Sequence, residues 1–179
     1  MRRPRLCILA THGTAVRHVL MSRAMAEIQR CYEIRVLSPF THTASFRARF
    51  AHLEGLDHLV EPRRPRSVTL LHDLRATLFY KLSASATHRD KLSRIKRDPT
   101  LRRLRALARR FASPRLYTMA HRMLVQQLRR SESYRLFRRY FREHGIDTFI
   151  SASPLHTSDY AALLAAKDLT LATVAADWR

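Results

Sequence analysis

The sequence predicts an α/β fold in which about five parallel strands alternate with helices, and a basic, mostly helical insertion separates the third strand from the fourth. Three observations support this prediction. Short apolar runs alternate with helical patterns at both ends of the 179-residue chain. Residues 63–142 have helical periodicity almost throughout. The same stretch contains 23 of the 34 Lys and Arg residues but only 4 of the 14 Asp and Glu residues.

The chain begins with a predicted strand, turn and helix. Residues 5–11 (RLCILAT) form an apolar run that ends at His12-Gly13-Thr14. Beyond this turn, apolar residues recur at helical spacing from Val16 to Ile28. An apolar run, a glycine and a helical pattern in this order are typical of a strand, a tight turn and a helix.

Two further strands are predicted before the basic segment. Residues 33–37 (EIRVL) form the second strand, which Ser38-Pro39 closes, and residues 57–61 (DHLVE) form the third. Because helices separate the strands, we expect parallel pairing with right-handed crossovers.

The middle of the chain has the pattern of amphipathic basic helices. Apolar residues recur every three or four positions among the arginines. The apolar positions are Leu101, Leu104, Ala108 and Phe111, then Leu116, Ala120, Met123 and Leu128, and then Tyr134, Phe137, Tyr140 and Phe141. We expect most of these stripes to be buried against the sheet. For some of the basic faces, contact with an anionic membrane surface is a further expectation.

The alternating pattern returns after residue 145. Residues 147–152 (DTFISA) form a predicted strand, Ser158 can cap a helix over residues 159–167, and residues 170–175 (TLATVA) form the last strand. Together they make a βαβ unit of nearly minimal length. Asp177 follows this last strand, and its carboxylate is a candidate for catalysis or ligand binding.

The formal net charge of +20 has two interpretations. A basic excess of this size indicates an anionic partner, which is nucleic acid, an anionic membrane face or a phosphorylated substrate. Alternatively, it reflects codon bias, because only four of the 34 basic residues are lysines. Nucleic acid is the less favoured partner, since no aromatic RNA-binding strand, zinc spacing or helix-turn-helix pattern accompanies the charge.

Other classes of protein are disfavoured by what the sequence lacks. Cys7 and Cys31 are too few for a disulfide framework, and each is expected to be buried. No metal-ligand spacing is present, and no run approaches the roughly 18 apolar residues that a membrane span needs. We therefore expect a protein of the reducing cytoplasm, soluble or peripheral at the inner membrane face.

Candidate site residues follow the predicted strands, where the loops of a parallel sheet bind ligands. His12 is a candidate general base and a better one than His18, which lies within the predicted helix. Gly13 and Thr14 are candidate ligand contacts, as are Ser153 and His156 in the SASPLH segment and Asp177 after the last strand. Each of these residues also fits an ordinary turn, surface or loop position.

The order of these elements resembles the N-terminal, acceptor-side domain of GT-B glycosyltransferases, which is Rossmann-like. The resemblance covers both ends of the chain: the first strand with His12-Gly13-Thr14, the second strand, SASPLH, the following helix and TLATVAADW. It implies that His12 is the base in an enzyme that builds surface polysaccharides or glycolipids on a lipid-linked or polysaccharide acceptor.

The resemblance also implies that something is missing from this sequence. The family binds its nucleotide-sugar donor mainly in a second Rossmann-like domain, which is absent here. We therefore expect a truncated or split glycosyltransferase half that holds no cofactor itself and needs a donor-binding domain or partner subunit. The alternative is a non-catalytic basic module that binds nucleic acid or anionic lipid.

Overall fold

The structure is a computed structural model that describes residues 2–13, 16–53, 55–83, 106, 108, 110–151 and 156–175. The chain divides into two compact units. Met1–Arg63 and Glu132–Arg179 form the first, which we name the sheet unit. Arg64–Ser131 form the second, which we name the helical unit. The last turns of the basic segment, from Glu132 onward, therefore belong to the sheet unit.

The sheet unit contains a five-stranded sheet in which every pair of neighbours is parallel. The strands are β1 (Arg5–Leu9), β2 (Glu33–Ser38), β3 (Gly55–His58), β4 (Thr148–Ser151) and β5 (Ala172–Ala175). Their order across the sheet is β3-β2-β1-β4-β5. The predicted α/β class, with a Rossmann-like parallel sheet and a helical insertion between the third and fourth strands, is confirmed.

Helices and loops connect the strands. In the sheet unit the helices are α1 (Ala24–Cys31), α2 (Ala44–Arg49), α5 (Glu132–Glu143) and α6 (Thr157–Asp168). In the helical unit they are α3 (Arg66–Leu82) and α4 (Pro114–Arg130). A π-helical turn covers Val16–Leu20 and a 3₁₀ turn covers Pro39–His42. None of the helices among the described residues is both long enough and apolar enough to cross a membrane.

The central strand β1 explains why the sheet is stable. Its residues from Leu6 to Leu9 are at most 1% exposed, because helices cover both faces of a parallel sheet. Leu6 and Ile8 belong to a core that also contains Val36 and Phe46. On α5, the ring of Phe141 lies 5.1 Å from that of Phe149 in β4. The apolar residues predicted on α5 therefore form part of the sheet unit's core.

The helical unit has a smaller described core, in which α3 packs against α4. Leu78, Ala108 and Ala120 are its buried members, and Tyr117 packs against them. The first turn of α4 is well specified by sequence, since Pro114 occupies its start and the Ser113 side chain accepts a hydrogen bond from the Leu116 amide. The predicted helical character of this segment is confirmed in α3 and α4.

The predicted helix after β1 is interrupted. The π-helical turn ends at Leu20, and α1 begins only at Ala24. Between them, the Ser22 hydroxyl donates a 2.8 Å hydrogen bond to the carbonyl of Val19. Serine competes with helical hydrogen bonding in this way, which gives the backbone an alternative to one continuous helix.

Two strands begin at other residues than predicted. β3 covers Gly55–His58 instead of residues 57–61. Gly55 pairs with Arg35, and a Cβ there would lie 2.9 Å from Arg35 Cγ, so this close approach requires glycine. β5 begins at Ala172 instead of residue 170, because Thr170 has a φ of 58°, in the left-handed region.

Three side-chain predictions also need correction. Ser158 does not cap α6, because the helix begins at Thr157 and Ser158 is buried in its first turn. Phe111 and Met123, which were expected on buried stripes, are 61% and 47% exposed. Cys7 is buried as predicted, whereas Cys31 is exposed. Leu101 and Leu104 lie outside the described residues.

Candidate functional site

Two histidines meet at the carboxyl edge of the sheet. His12 follows β1, and His156 lies directly before α6, which begins beyond the neighbouring strand β4. Their rings pack edge to face, with centroids 4.2 Å apart and planes at 83°. Both side chains are partly exposed. The structure thus places together two of the residues that the sequence nominates separately.

A buried carboxylate lies close to this pair. Asp159 comes from the first turn of α6 and is 0% exposed. The Thr11 hydroxyl donates to its Oδ2 atom over 2.8 Å, and the Ser151 hydroxyl donates to its Oδ1 atom over 2.9 Å. Thr11 lies just beyond β1, and Ser151 is the last residue of β4. Hydroxyl groups at the ends of the two central strands therefore hold both oxygens of one carboxylate.

The electrostatics of Asp159 result from opposing effects. Burial raises the pKa of its carboxyl group to about 6, because desolvation penalises the charged form. The hydrogen bonds from Thr11 and Ser151 lower this pKa, as does the charge on His12, while Glu61 raises it. At neutral pH the site consequently holds a mostly ionised, fully buried carboxylate in electrostatic contact with His12.

The loops after β2 and β3 complete this edge of the sheet. The Ser38 hydroxyl donates to the Ala10 carbonyl over 2.7 Å, which joins the end of β2 to the end of β1. The Thr41 hydroxyl bonds to the carbonyls of Ser38 and Asp57. His42 and His58 lie with ring centroids 5.2 Å apart. Each of the strands β1 to β4 therefore has a histidine at or shortly beyond its carboxyl end.

The other predicted site residues have different outcomes. Gly13 is exposed, and a Cβ added there would meet no protein atom within 4 Å, so packing within the protein does not require glycine. His18 lies exposed in the π-helical turn. Thr14, Ser153 and Asp177 lie outside the described residues. Among the residues that are described, no group of three His, Cys, Asp or Glu side chains is placed to hold a metal ion.

Sequence reasoning missed Asp159, which is the most distinctive group of the site. In sequence it is an acidic residue in the first turn of a helix, where a carboxylate is common because it interacts favourably with the helix dipole. The available signal was the pair of hydroxyl residues, Thr11 and Ser151, at the ends of two predicted strands. Polar side chains at the carboxyl end of apolar strands indicate that a polar group is bound there.

The arrangement is suited to proton abstraction. A partly exposed imidazole can accept a proton from a bound hydroxyl group, and a nearby fixed carboxylate stabilises the positive charge that develops on the ring. His12 and Asp159 have these two positions. His156 restricts the orientation of the His12 ring through their edge-to-face contact.

Comparisons with protein-family models, with curated proteins and with solved structures gave no match. The function therefore has to be inferred from the geometry and chemistry of the sheet edge.

Proposed function

We propose that this chain is the acceptor-binding half of a GT-B-type glycosyltransferase, which moves a sugar from a nucleotide-sugar to a lipid-linked or polysaccharide acceptor. The observation that carries the proposal is the contact between His12 and His156 beside the buried carboxylate of Asp159. This group lies at the carboxyl edge of a parallel sheet, where α/β proteins of this architecture bind their ligands.

In the proposed reaction His12 acts as the general base. Its imidazole takes the proton from an acceptor hydroxyl group while the acceptor oxygen bonds to the anomeric carbon of the sugar. The bond between that carbon and the phosphate oxygen of the nucleotide breaks, and the nucleoside diphosphate leaves with the electron pair. Asp159 stabilises the imidazolium that forms, because its carboxylate interacts electrostatically with His12. The donor is held by a second domain or a partner subunit.

The histidines near the ends of β2 and β3 extend the surface on which an acceptor can bind. His42 and His58 form a second ring pair at the same edge of the sheet. Imidazoles donate and accept hydrogen bonds, so they suit the hydroxyl groups of a sugar and the phosphate oxygens of a lipid-linked acceptor. Orienting the acceptor in this way brings its hydroxyl group to the base before the donor arrives.

A complementation assay tests the proposal without requiring the partner to be known. Extracts from cells that lack the gene are supplied with radiolabelled nucleotide-sugars, one at a time, and labelled sugar is measured in the lipid and polysaccharide fractions. We expect the extract to have lost incorporation of at least one sugar and the purified protein to restore it. The His12→Asn variant should restore it at a rate lower by at least about a hundredfold, since a general base contributes at least this much.

His18→Asn is the matched control, because His18 is also a histidine between β1 and α1 but is exposed in the π-helical turn. This variant should restore incorporation at the wild-type rate. The proposal is contradicted if deletion of the gene changes the incorporation of no sugar. It is also contradicted if His12→Asn restores incorporation as well as the wild-type protein does.

A further inference from the structure

Helix α4 has an exposed face that combines arginines with methionines. Arg115, Met119, Arg122 and Met123 are spaced so that they lie on one side of the helix, and we name this side the Arg–Met face. Met119 is 52% exposed and Met123 is 47% exposed. Thr118 and Gln126 are the uncharged polar residues of the same side, and both are exposed.

The opposite side of α4 explains why Met119 and Met123 remain exposed. Ala120, Leu124 and Leu128 are at most 1% exposed, so the helix has a separate apolar stripe that is already buried. Turning the methionines inward would turn these three residues toward water. Burial of the apolar side chains of Leu124 and Leu128 is favourable, which keeps the helix in the observed orientation.

The charge of α4 is of one sign. Pro114–Arg130 contains four arginines and no Asp or Glu. Arg115 and Arg122 are two helical turns apart, Met119 lies between them along the helix, and Met123 directly follows Arg122. A face of this kind attracts anions, and the methionines beside the arginines add apolar surface that contributes nothing to binding a phosphate.

We propose that the Arg–Met face binds an anionic membrane surface. Arg115 and Arg122 contact lipid phosphates, while Met119 and Met123 leave water and enter the boundary between head groups and acyl chains. Nucleic acid is the weaker match, because a polyanion with hydrated phosphates would leave the methionine side chains in water. The helix lies on the membrane and does not cross it, which agrees with its alternation of buried and exposed sides.

Vesicle binding by the full chain tests this inference. Purified protein is sedimented with zwitterionic phosphatidylcholine vesicles and with vesicles that also contain phosphatidylglycerol. We expect binding only to the anionic vesicles, and we expect it to weaken as salt is added. No sugar is present in this measurement, so its outcome is independent of the proposed transfer reaction.

Two double variants separate the roles of the charged and apolar residues. Arg115→Gln with Arg122→Gln should weaken binding to anionic vesicles about 30-fold, at roughly 1 kcal/mol for each arginine. Met119→Ser with Met123→Ser keeps the charge and should weaken binding about tenfold. Arg23→Gln with Arg49→Gln is the matched control, because both arginines are exposed and lie in the sheet unit.

The control variant should bind anionic vesicles within about twofold of the wild-type protein. The inference is overturned if the two arginine variants weaken binding equally, since the charge would then act without a defined face. It is also overturned if the wild-type protein binds duplex DNA but not anionic vesicles, or if the methionine variant binds vesicles as tightly as the wild-type protein. Circular dichroism spectra of all variants establish that each one is folded.

Discussion

Three buried phenylalanines of the sheet unit contrast with three exposed apolar side chains of the helical unit. In the sheet unit, Phe137, Phe141 and Phe149 are at most 2% exposed. In the helical unit, Phe111, Met119 and Met123 are between 47% and 61% exposed. Soluble proteins expose many single apolar residues, but exposed apolar residues next to a single sign of charge mark a binding surface.

The two units also differ in charge. The helical unit contains 18 basic and 3 acidic residues, whereas the sheet unit contains 16 basic and 11 acidic residues. Carboxylates that are buried and hydrogen-bonded, such as Asp159, lie in the more balanced sheet unit. The basic helical unit therefore supplies a positively charged surface. The candidate catalytic residues lie in the sheet unit, where basic and acidic residues are more nearly balanced.

The largest expected effect on stability comes from truncating a core phenylalanine of the sheet unit. Phe149→Ala removes a ring that is 0% exposed and packs against Phe141, so the variant loses buried apolar contacts and leaves a cavity. We expect a loss of about 4 kcal/mol in the free energy of unfolding. Denaturant unfolding followed by far-ultraviolet circular dichroism measures it.

Phe111→Ala is the matched control from the helical unit. Phe111 is 61% exposed, and its described ring contact is with the guanidinium of Arg110, 5.9 Å from the ring centroid. We expect this variant to lose no more than about 1 kcal/mol. Equal losses in the two variants would show that the units do not differ in how they use phenylalanine.

The second expected effect depends on pH and concerns Asp159. Its pKa is raised by burial from 3.8 to about 6, so the folded state binds a proton more tightly than the unfolded state does. Below pH 4 both states are protonated, and the carboxyl group costs nothing. Between about pH 4 and pH 6 the unfolded state loses this proton while the folded state keeps it, so the folded state is destabilised, by about 3 kcal/mol at pH 7, where both states are mostly ionised.

Asp159→Asn removes this pH-dependent cost, because the amide does not ionise. Between about pH 4 and pH 7 we expect the stability of the variant, relative to wild type, to increase by about 3 kcal/mol. Denaturant unfolding of both proteins across this range measures the difference. A difference that stays constant with pH would mean that Asp159 titrates alike in the folded and unfolded states. Burial of this charge would then have no pH-dependent effect on stability that sets the sheet unit apart from the helical unit.

Much of the fold could be predicted because its signals are local. The apolar run of β1 is continuous since that strand is buried on both faces, and the loops after β1 and β4 meet because parallel strands end at one edge. This is also why His12 and His156 could be nominated from sequence. Which side chain would contact which could not be predicted, because it depends on the register of β1 against β4.

Asp159 and Met123 are residues whose surroundings in the fold could not be predicted from the sequence. Asp159 accepts a hydrogen bond from Thr11, from which it is separated by 148 positions, so no local pattern indicates this contact. Met123 lies at the margin of the stripe that contains Ala120 and Leu124, where a helical pattern does not distinguish a buried position from an exposed one. Both outcomes are decided by packing between elements.

The smallest of the three effects concerns a second polar cluster in the sheet unit. Arg35 in β2 donates to both oxygens of Asp57 in β3, over 3.0 and 3.1 Å, and the Tyr140 hydroxyl of α5 donates to Asp57 Oδ2 over 2.5 Å. Burial raises the pKa of Asp57, but the hydrogen bonds from Arg35 and Tyr140 outweigh it and lower the pKa. We expect Tyr140→Phe to lose about 2 kcal/mol of unfolding free energy, because a hydrogen bond to a charged acceptor is among the stronger ones.

Tyr117→Phe in the helical unit is the control for this hydroxyl group. The Tyr117 ring stacks on His121 and packs against the small core, and these contacts use the ring and not the hydroxyl. Its removal should therefore change stability by less than about 0.5 kcal/mol in denaturant unfolding. If Tyr117→Phe is as costly as Tyr140→Phe, hydrogen-bonded polar groups stabilise both units alike. If only Tyr140→Phe is costly, the sheet unit depends on this hydrogen-bonded hydroxyl group, whereas the helical unit does not depend on the hydroxyl group of Tyr117.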